Sequence, residues 1–381
     1  MAARKSRAIL LLAALAFFSL LFVLKVKENM ADFEVNYGAA KRLRGGETLY
    51  RVEDGHYQFK YFPFSAFLYL PLTLLSLSGA KVVWFGLVIL SSILIFVLSA
   101  RLLALPGESL IMPAVVSVLV LARYFFREIE LGQINAPITL LILVQVSRLV
   151  RPGGAAAEAA AGGLAGLATA LKPYAVIFFP YLAIQKKWRA LASGVVVFCL
   201  ALVAPVLFYG WGGNLTVLRE WKSSLAASTP ALLSSQDNVS LMGFLTKWTG
   251  RQRLSLALYA LILVALALLI IFLIRLGKSL PRPILLDGFL LLALIPLASP
   301  LGWDYTLLAA APAVMLICSH FPKFPRPWKM ALVLNFLVIA LSLYDLMGRT
   351  LYAAFMSWSV ITLDFLVLIG SLVYLRVKGH A

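Results

Sequence analysis

The feature that most constrains this 381-residue chain is its succession of apolar runs, each long enough to enter a bilayer. A crossing helix needs about 20 mostly apolar residues, because every backbone N–H and C=O in hydrocarbon must be satisfied within its own segment. Runs of this kind are read at 8–26, 81–104, 109–127, 134–150, 155–171, 173–185, 188–211, 255–274, 284–298, 303–320, 329–348 and 353–375. The expected fold is therefore an all-α polytopic membrane protein with about 12 transmembrane helices, forming a single integral-membrane domain over 1–381. Composition agrees: 62% of residues are hydrophobic and 13% are charged, against about 25% charged in a soluble domain. Water could not support such a surface.

The charge balance then changes meaning. Lys and Arg number 34 and Asp and Glu 16, for a net +18. In a soluble protein this would suggest nucleic acid; in a membrane protein it orients the spans, so no nucleic-acid partner is expected. Basic clusters stand at Arg4/Lys5/Arg7, Arg101, Arg148/Arg151, Lys186/Lys187/Arg189, Arg275/Lys278/Arg282, Lys323/Arg326/Lys329 and Arg376/Lys378. If the twelve segments alternate, all of these clusters are cytoplasmic, as are both termini. The first segment is expected to be a retained anchor, since no small-residue cleavage site follows it.

The external side then carries two long polar stretches, 27–80 and 212–254. This parity requires that 62–79 not cross on its own, and Pro63 and Pro71 suit an interrupted helix there. The Ala/Gly-rich stretch Gly153–Ala170 fits close helix packing in lipid. Cys199 and Cys318 both lie in apolar runs, so no disulfide framework is expected.

The polar residues on the expected outer side fall into five compact groups. The first begins Asp32-Phe33-Glu34-Val35-Asn36-Tyr37 and runs through Arg44 to Lys60-Tyr61-Phe62-Pro63. Ala39, Ala40 and Leu43 at helical spacing predict a short interfacial helix with Asp32 at its start. There the carboxylate either caps the helix or accepts a proton from an incoming hydroxyl. The second is Gly132-Gln133-Ile134-Asn135, whose amides suit sugar hydroxyls, with helix capping by Asn135 as the alternative. The third is Lys172-Pro173. A cation at membrane depth is a functional candidate and could meet a lipid phosphate; snorkelling is the plainer alternative. The fourth, Ser235-Gln236-Asp237-Asn238, is either a loop folded over the membrane face or a solvated turn. The fifth is Ser299-Pro300-Leu301-Gly302-Trp303-Asp304-Tyr305, where Asp304 either binds a hydroxyl or caps a helix.

Other chemistries lack their signatures. There is no HExxH, no phosphate-cradling glycine loop and no Walker sequence. His56, His320 and His380 are too far apart to suggest a metal site. No metal or cofactor is expected. No charge ladder runs through the helices, which weakens a proton-coupled transporter. A flippase for polyprenol-linked glycans, the main alternative, would need polar residues through the full membrane depth. A non-catalytic scaffold would leave these one-sided polar groups without a purpose.

Taken in order, the groups read D-F-x-V-x-Y-x-A-A-x-x-L-x-x-G, L-Y, Y-x-x-x-Y-x-P, G-Q-x-N, K-P, Q-x-N-x-S-L-x-G and S-P-x-x-W. This series resembles the polyprenyl-phosphate-mannose-dependent α-mannosyltransferases, integral-membrane enzymes of the GT-C superfamily, over residues 30–310. The resemblance implies a GT-C fold with interfacial helices in the first external loop. It also implies a polyprenyl-phosphate-linked sugar donor, a glycan or glycolipid acceptor, and an active site on the extracytoplasmic face, here of a bacterial plasma membrane. It makes Asp32 the general base of an inverting hexosyl transfer. Lys172, Lys60 and Arg44 are then cations for the donor phosphate. Tyr37, Tyr61, Gln133, Asn135, Gln236, Asn238, Trp303, Asp304 and Tyr305 are candidates for holding sugar or acceptor. Two departures stand out: Tyr61-Phe62-Pro63 replaces a Y-P-P run, and Gly302-Trp303-Asp304-Tyr305-Thr306 replaces S-W-x-H-H, so histidine roles are lost or pass to Tyr305.

Overall fold

A backbone surrounded by hydrocarbon has to pair with itself, and this chain does so almost entirely through helices. The structure is a computed structural model that describes residues 17–104, 109–151, 153–276 and 282–379. Arg4, Lys5, Arg7, the first part of the 8–26 segment, the connection 105–108, Lys278 and His380 lie outside the described residues. Among the described residues the β-pairing is one isolated bridge, Asn238 to Trp303.

The helices run in chain order as α1 (Ala31–Gly45), α2 (Leu77–Leu103), α3 (Ile111–Leu131), α4 (Asn135–Val150), α5 (Gly154–Leu171) and α6 (Phe178–Ile184). Next come α7 (Trp188–Val203), α8 (Val206–Leu233), α9 (Leu241–Thr249), α10 (Gln252–Leu276) and α11 (Pro283–Ala298). The last four are α12 (Ala311–Ser319), α13 (Arg326–Leu341), α14 (Tyr344–Ser357) and α15 (Val360–Val377). The fold is all-α and polytopic.

The predicted segments coincide with apolar helical stretches, but these differ in reach. Helices α2, α5, α10 and α15 are long and apolar enough to cross a bilayer by themselves. Three pairs are bent: α3 and α4 by 118°, α7 and α8 by 87°, and α13 and α14 by 105°; counting each as one span gives seven. Phe17–Val26, Pro63–Leu74, Pro173–Ile184, Pro283–Ala298 and Asp304–Ser319 are shorter apolar helical segments. The stretch 62–79 is broken, as Pro71 suggests. It forms a 12-residue 3-10 helix, Pro63–Leu74, then an extended Leu75. At ~2 Å per residue that helix covers about 24 Å, less than the ~30 Å hydrocarbon core.

Two expectations need correction. The stretch 212–254, expected as a long loop, is largely helical, through α8 and α9. The chain turns at Ala204-Pro205, and Gly210 adopts φ 65°, a left-handed backbone that glycine takes without strain. Hydropathy alone therefore extends the preceding span too far. Arg376, expected as a loop charge, is instead buried in the last turn of α15 and paired with Asp287 at 2.9 Å. The small residues of α5 do serve packing: a Cβ at Gly162 or Gly166 would run into the backbone of Ala190 and Gly194 on α7.

Candidate active site

Helix α1 is held in place by aromatics. Phe33 on α1 lies 6.0 Å from Tyr69 and 5.8 Å from Trp84 between ring centroids, and Tyr69 stands 4.5 Å from Trp84. These contacts fix the start of α1 against α2. The helix cap is Met30, which makes no side-chain cap bond, so the Asp32 carboxylate is not spent on capping. Asp32 Oδ2 instead accepts a 2.6 Å hydrogen bond from Gln133 Nε2. Its Oδ1 has no side-chain or backbone partner among the described residues and is available to the adjoining cleft.

Gln133 reaches Asp32 because α3 ends abruptly. Gly132 takes φ 66°, its N–H bonds back to the carbonyls of Glu128 and Ile129, and the chain reverses into α4. Only glycine fits: an added Cβ would lie 2.7 Å from Phe33 Cβ. Trp84 Nε1 donates to the Gly132 carbonyl at 2.8 Å and locks the turn. The Gln133 side chain is then fully engaged. Its amide nitrogen donates to Asp32 and, at 3.2 Å, to Tyr305 OH. Its amide oxygen accepts from Tyr61 OH at 3.0 Å and faces Lys172 Nζ at 3.5 Å.

Lys172 stands in the break between α5 and the 3-10 turn Pro173–Ile177. A residue before proline favours extended backbone, and Lys172 has φ −148° and ψ 112°. Its ammonium donates to Asn135 Oδ1 at 2.7 Å. It also lies over the rings of Tyr61, Tyr174 and Tyr305 at 5.3, 5.5 and 5.8 Å. Such faces attract a cation without neutralising it. Among the described residues no carboxylate oxygen lies within ion-pair distance. Burial pushes this ammonium below the ordinary lysine range, opposed by the carboxylates of Glu128 and Asp32. Burial, with Asp32 beside it, pushes the Tyr61 phenol up, so it remains a neutral donor.

The fifth polar group is pinned from behind. Asn238 is fully buried, and its amide is consumed by backbone: Oδ1 accepts from Ser240 N and Gly302 N, while Nδ2 donates to the Leu233 and Pro300 carbonyls. This knot holds Trp303, Asp304 and Tyr305 at the cleft. Asp304 Oδ1 accepts from the Tyr305 backbone N–H at 2.7 Å, and its Oδ2 pairs with Arg123 at 3.1 Å. Arg123 also donates to Tyr352 OH, Ser342 Oγ and the Ser342 carbonyl, tying in the bend between α13 and α14.

One cleft of about 1640 Å³ gathers these groups, with Asp32, Lys60, Tyr61, Gln133, Lys172 and Tyr305 in its wall. Its wall also includes apolar residues, among them Val176 and Ile177, Leu266 and Ile270 of α10, and Leu294 and Ile295 of α11. Asn135 stands just behind Lys172. Other expected site residues lie elsewhere. Arg44 and Gln236 are exposed and do not line the cleft. Tyr37 is buried and donates to the Leu75 carbonyl at 2.8 Å. Glu128 and Arg123 were not anticipated. Their signal was in the sequence: four charges in Arg123-Tyr124-Phe125-Phe126-Arg127-Glu128-Ile129-Glu130, at the end of an otherwise apolar helix. Among the described residues, no group of three or more His, Cys, Asp or Glu is arranged to hold a metal ion.

The sequence model of glycosyltransferase family 87 matches residues 59–300, well over half of the chain. The chain belongs to glycosyltransferase family 87. No curated protein and no solved structure matches it. This family-87 protein is thus a membrane glycosyltransferase, which takes a sugar from a donor and passes it to a glycan or lipid acceptor. The matched range contains Lys60, Tyr61, Gln133, Asn135 and Lys172; Asp32 and Tyr305 lie just outside it and reach the same cleft through Gln133.

Proposed function

We propose that this family-87 enzyme transfers a hexose, with mannose as first choice, from a polyprenyl-phosphate donor to a hydroxyl of a glycan or glycolipid. In this reading the cleft faces the extracytoplasmic side of a bacterial plasma membrane, with both termini cytoplasmic. The observation that carries it is the bridge through Gln133: one amide bonds the Asp32 carboxylate at its nitrogen end and faces the Lys172 ammonium at its oxygen end. A carboxylate and an ammonium held at opposite ends of one amide beside one cleft support the pairing of base and cation that an in-line displacement requires.

Asp32 takes the proton from the acceptor hydroxyl as its oxygen attacks the anomeric carbon. The bond from that carbon to the phosphate oxygen breaks, and its electron pair leaves with the polyprenyl phosphate. One displacement inverts the centre. Lys172, with Lys60 at the cleft wall, stabilises the charge that develops on the leaving phosphate. The apolar part of the cleft wall supports a lipid-linked donor, because it offers the polyprenyl chain an apolar surface in the cleft that Lys172 lines. Arg44, exposed and away from the cleft, has no part in this reading.

The test is turnover by the purified protein in proteoliposomes, supplied with labelled polyprenyl-phosphate hexoses and, separately, with nucleotide sugars. Transfer from the lipid-linked sugars alone is expected. Transfer from nucleotide sugars alone would refute the donor assignment.

A further inference from the structure

The end of α3 holds a carboxylate that the proposed reaction does not use. Glu128 is 0% exposed. A buried charge is costly unless it is hydrogen-bonded and balanced. Its Oε1 accepts from Ala136 N at 2.8 Å, which supplies the cap that α4 lacks, since Ile134 at the cap position makes no side-chain bond. Its Oε2 accepts from Asn135 Nδ2 at 2.7 Å.

The second bond, with a longer 3.4 Å contact from the same nitrogen to Gln133 Oε1, decides an orientation. An Asn amide has a donor end and an acceptor end. An ionised carboxylate can only accept, so Glu128 draws the nitrogen of Asn135 toward itself. The oxygen must then face the other way. There Oδ1 accepts from Lys172 Nζ at 2.7 Å and from Tyr174 OH at 3.1 Å. The polarity runs in one direction, from carboxylate through amide to ammonium.

We propose that Glu128 is a positioning residue for the donor-phosphate site, holding the Asn135 amide so that its oxygen anchors the Lys172 ammonium at the cleft. The inference rests on the reading of Lys172 as the cation that meets the donor phosphate. A carboxylate placed directly on Lys172 would compete with that phosphate. One side chain away, it offsets the cost of burying the ammonium and leaves the cation open to a ligand. The other groups facing Lys172 are neutral, namely Gln133 and the rings of Tyr61, Tyr174 and Tyr305, while Asp32 is held away on the far end of Gln133.

Two variants test this. In Glu128→Gln the new amide keeps its oxygen on Ala136 N and turns its NH2 toward Asn135. Asn135 must flip, presenting its own NH2 to the ammonium. Adding Asn135→Asp restores the net charge but moves the carboxylate onto Lys172: the glutamine donates to one aspartate oxygen, and the other pairs with the ammonium. Binding of a polyprenyl phosphate and of the matching polyprenol is measured with each protein in lipid nanodiscs, alongside donor KM and kcat. The wild type should prefer the phosphate. Glu128→Gln should lose about tenfold of that preference, the worth of one charge-assisted hydrogen bond, and donor KM should rise more than kcat falls. The double variant, whose carboxylate competes with the phosphate at Lys172, should not regain the wild-type preference.

An unchanged preference in Glu128→Gln, or a double variant with the wild-type preference, would overturn the proposal. If Glu128→Gln does not fold, the double variant decides: loss of the phosphate preference in a folded protein supports the proposal, and retained preference or failure to fold overturns it. A wild type that binds phosphate and alcohol alike would instead refute the underlying role of Lys172, which is a separate failure.

Discussion

Arg376 is buried and Lys172 half-buried in this protein, and their surroundings are opposites. Arg376 is 3% exposed and meets Asp287 at 2.9 Å. The other Asp287 oxygen accepts from Tyr181 OH at 3.3 Å and Gln185 Nε2 at 3.1 Å. The charge is matched on the spot, and neither Arg376 nor Asp287 lines the cleft. Lys172 is held by neutral amide oxygens and aromatic faces, and it opens on a cleft. A buried cation with its own carboxylate stabilises a helix contact. One kept a side chain away from its carboxylates is arranged to receive an anion from outside. Both positions are basic residues at the end of an apolar run in sequence, so only the three-dimensional partners separate them.

Substitutions can break this contrast. The largest effect is expected at Asp32, the proposed base, which Gln133 links to Lys172. Asp32→Asn should lower turnover about 10³-fold, the worth of general base catalysis, with thermal stability retained. Near-normal turnover in proteoliposomes would remove Asp32 from the chemistry. At the Arg376 pair, Asp287→Ala should cost about 3–5 kcal/mol of stability by leaving Arg376 buried and unpaired. Activity per folded molecule should survive. A stable but inactive variant would erase the distinction between the two cations.

Lys172→Met should raise donor KM about 10–100-fold, as expected for lost hydrogen bonds to a charged group, with a smaller change in kcat. The same group sets a pH dependence. In the proposed role its protonated form binds phosphate, and burial lowers its titration below the ordinary lysine range. Donor affinity should therefore be full at lower pH and fall as pH rises through a point below about 10.4, the unperturbed lysine value. This alkaline limb should vanish in Lys172→Met. The smallest effect belongs to Arg44, exposed and away from the cleft. Arg44→Ala should stay within about 0.5 kcal/mol of wild type in stability and in donor affinity. A large rise in donor KM there would mean that the cleft extends beyond the side described.

Much of this architecture was legible in the sequence. Hydropathy located the apolar helices, because hydrocarbon forces backbone pairing into local segments. It could not show where a segment bends, since the turns at Gly132 and Gly210 depend on backbone torsions that leave mean hydropathy unchanged. Of the polar groups, Asp32, Tyr61, Gln133, Asn135, Lys172 and Tyr305 converge on one network. Capping was a reasonable alternative for Asp32 and Asn135, yet neither caps its helix, because Met30 and Ile134 occupy those positions. Asn238 shows the reverse: a residue type suited to sugar hydroxyls spends all its bonding capacity on Leu233, Ser240, Pro300 and Gly302 backbone. Residue type announces what a side chain can bond, and only the fold says what it does bond. Glu128 escaped notice for the same reason, since its partners Asn135 and Ala136 come close only after the reversal at Gly132.

The central claim is a single displacement, with Asp32 on the acceptor side and Lys172 on the leaving phosphate. The most direct measurement is the anomeric configuration of the product formed from a polyprenyl-phosphate hexose of known configuration, read by NMR on the product of the reconstituted enzyme. The account predicts inversion. Retention would require a second displacement and would contradict Asp32 as the base of a one-step transfer.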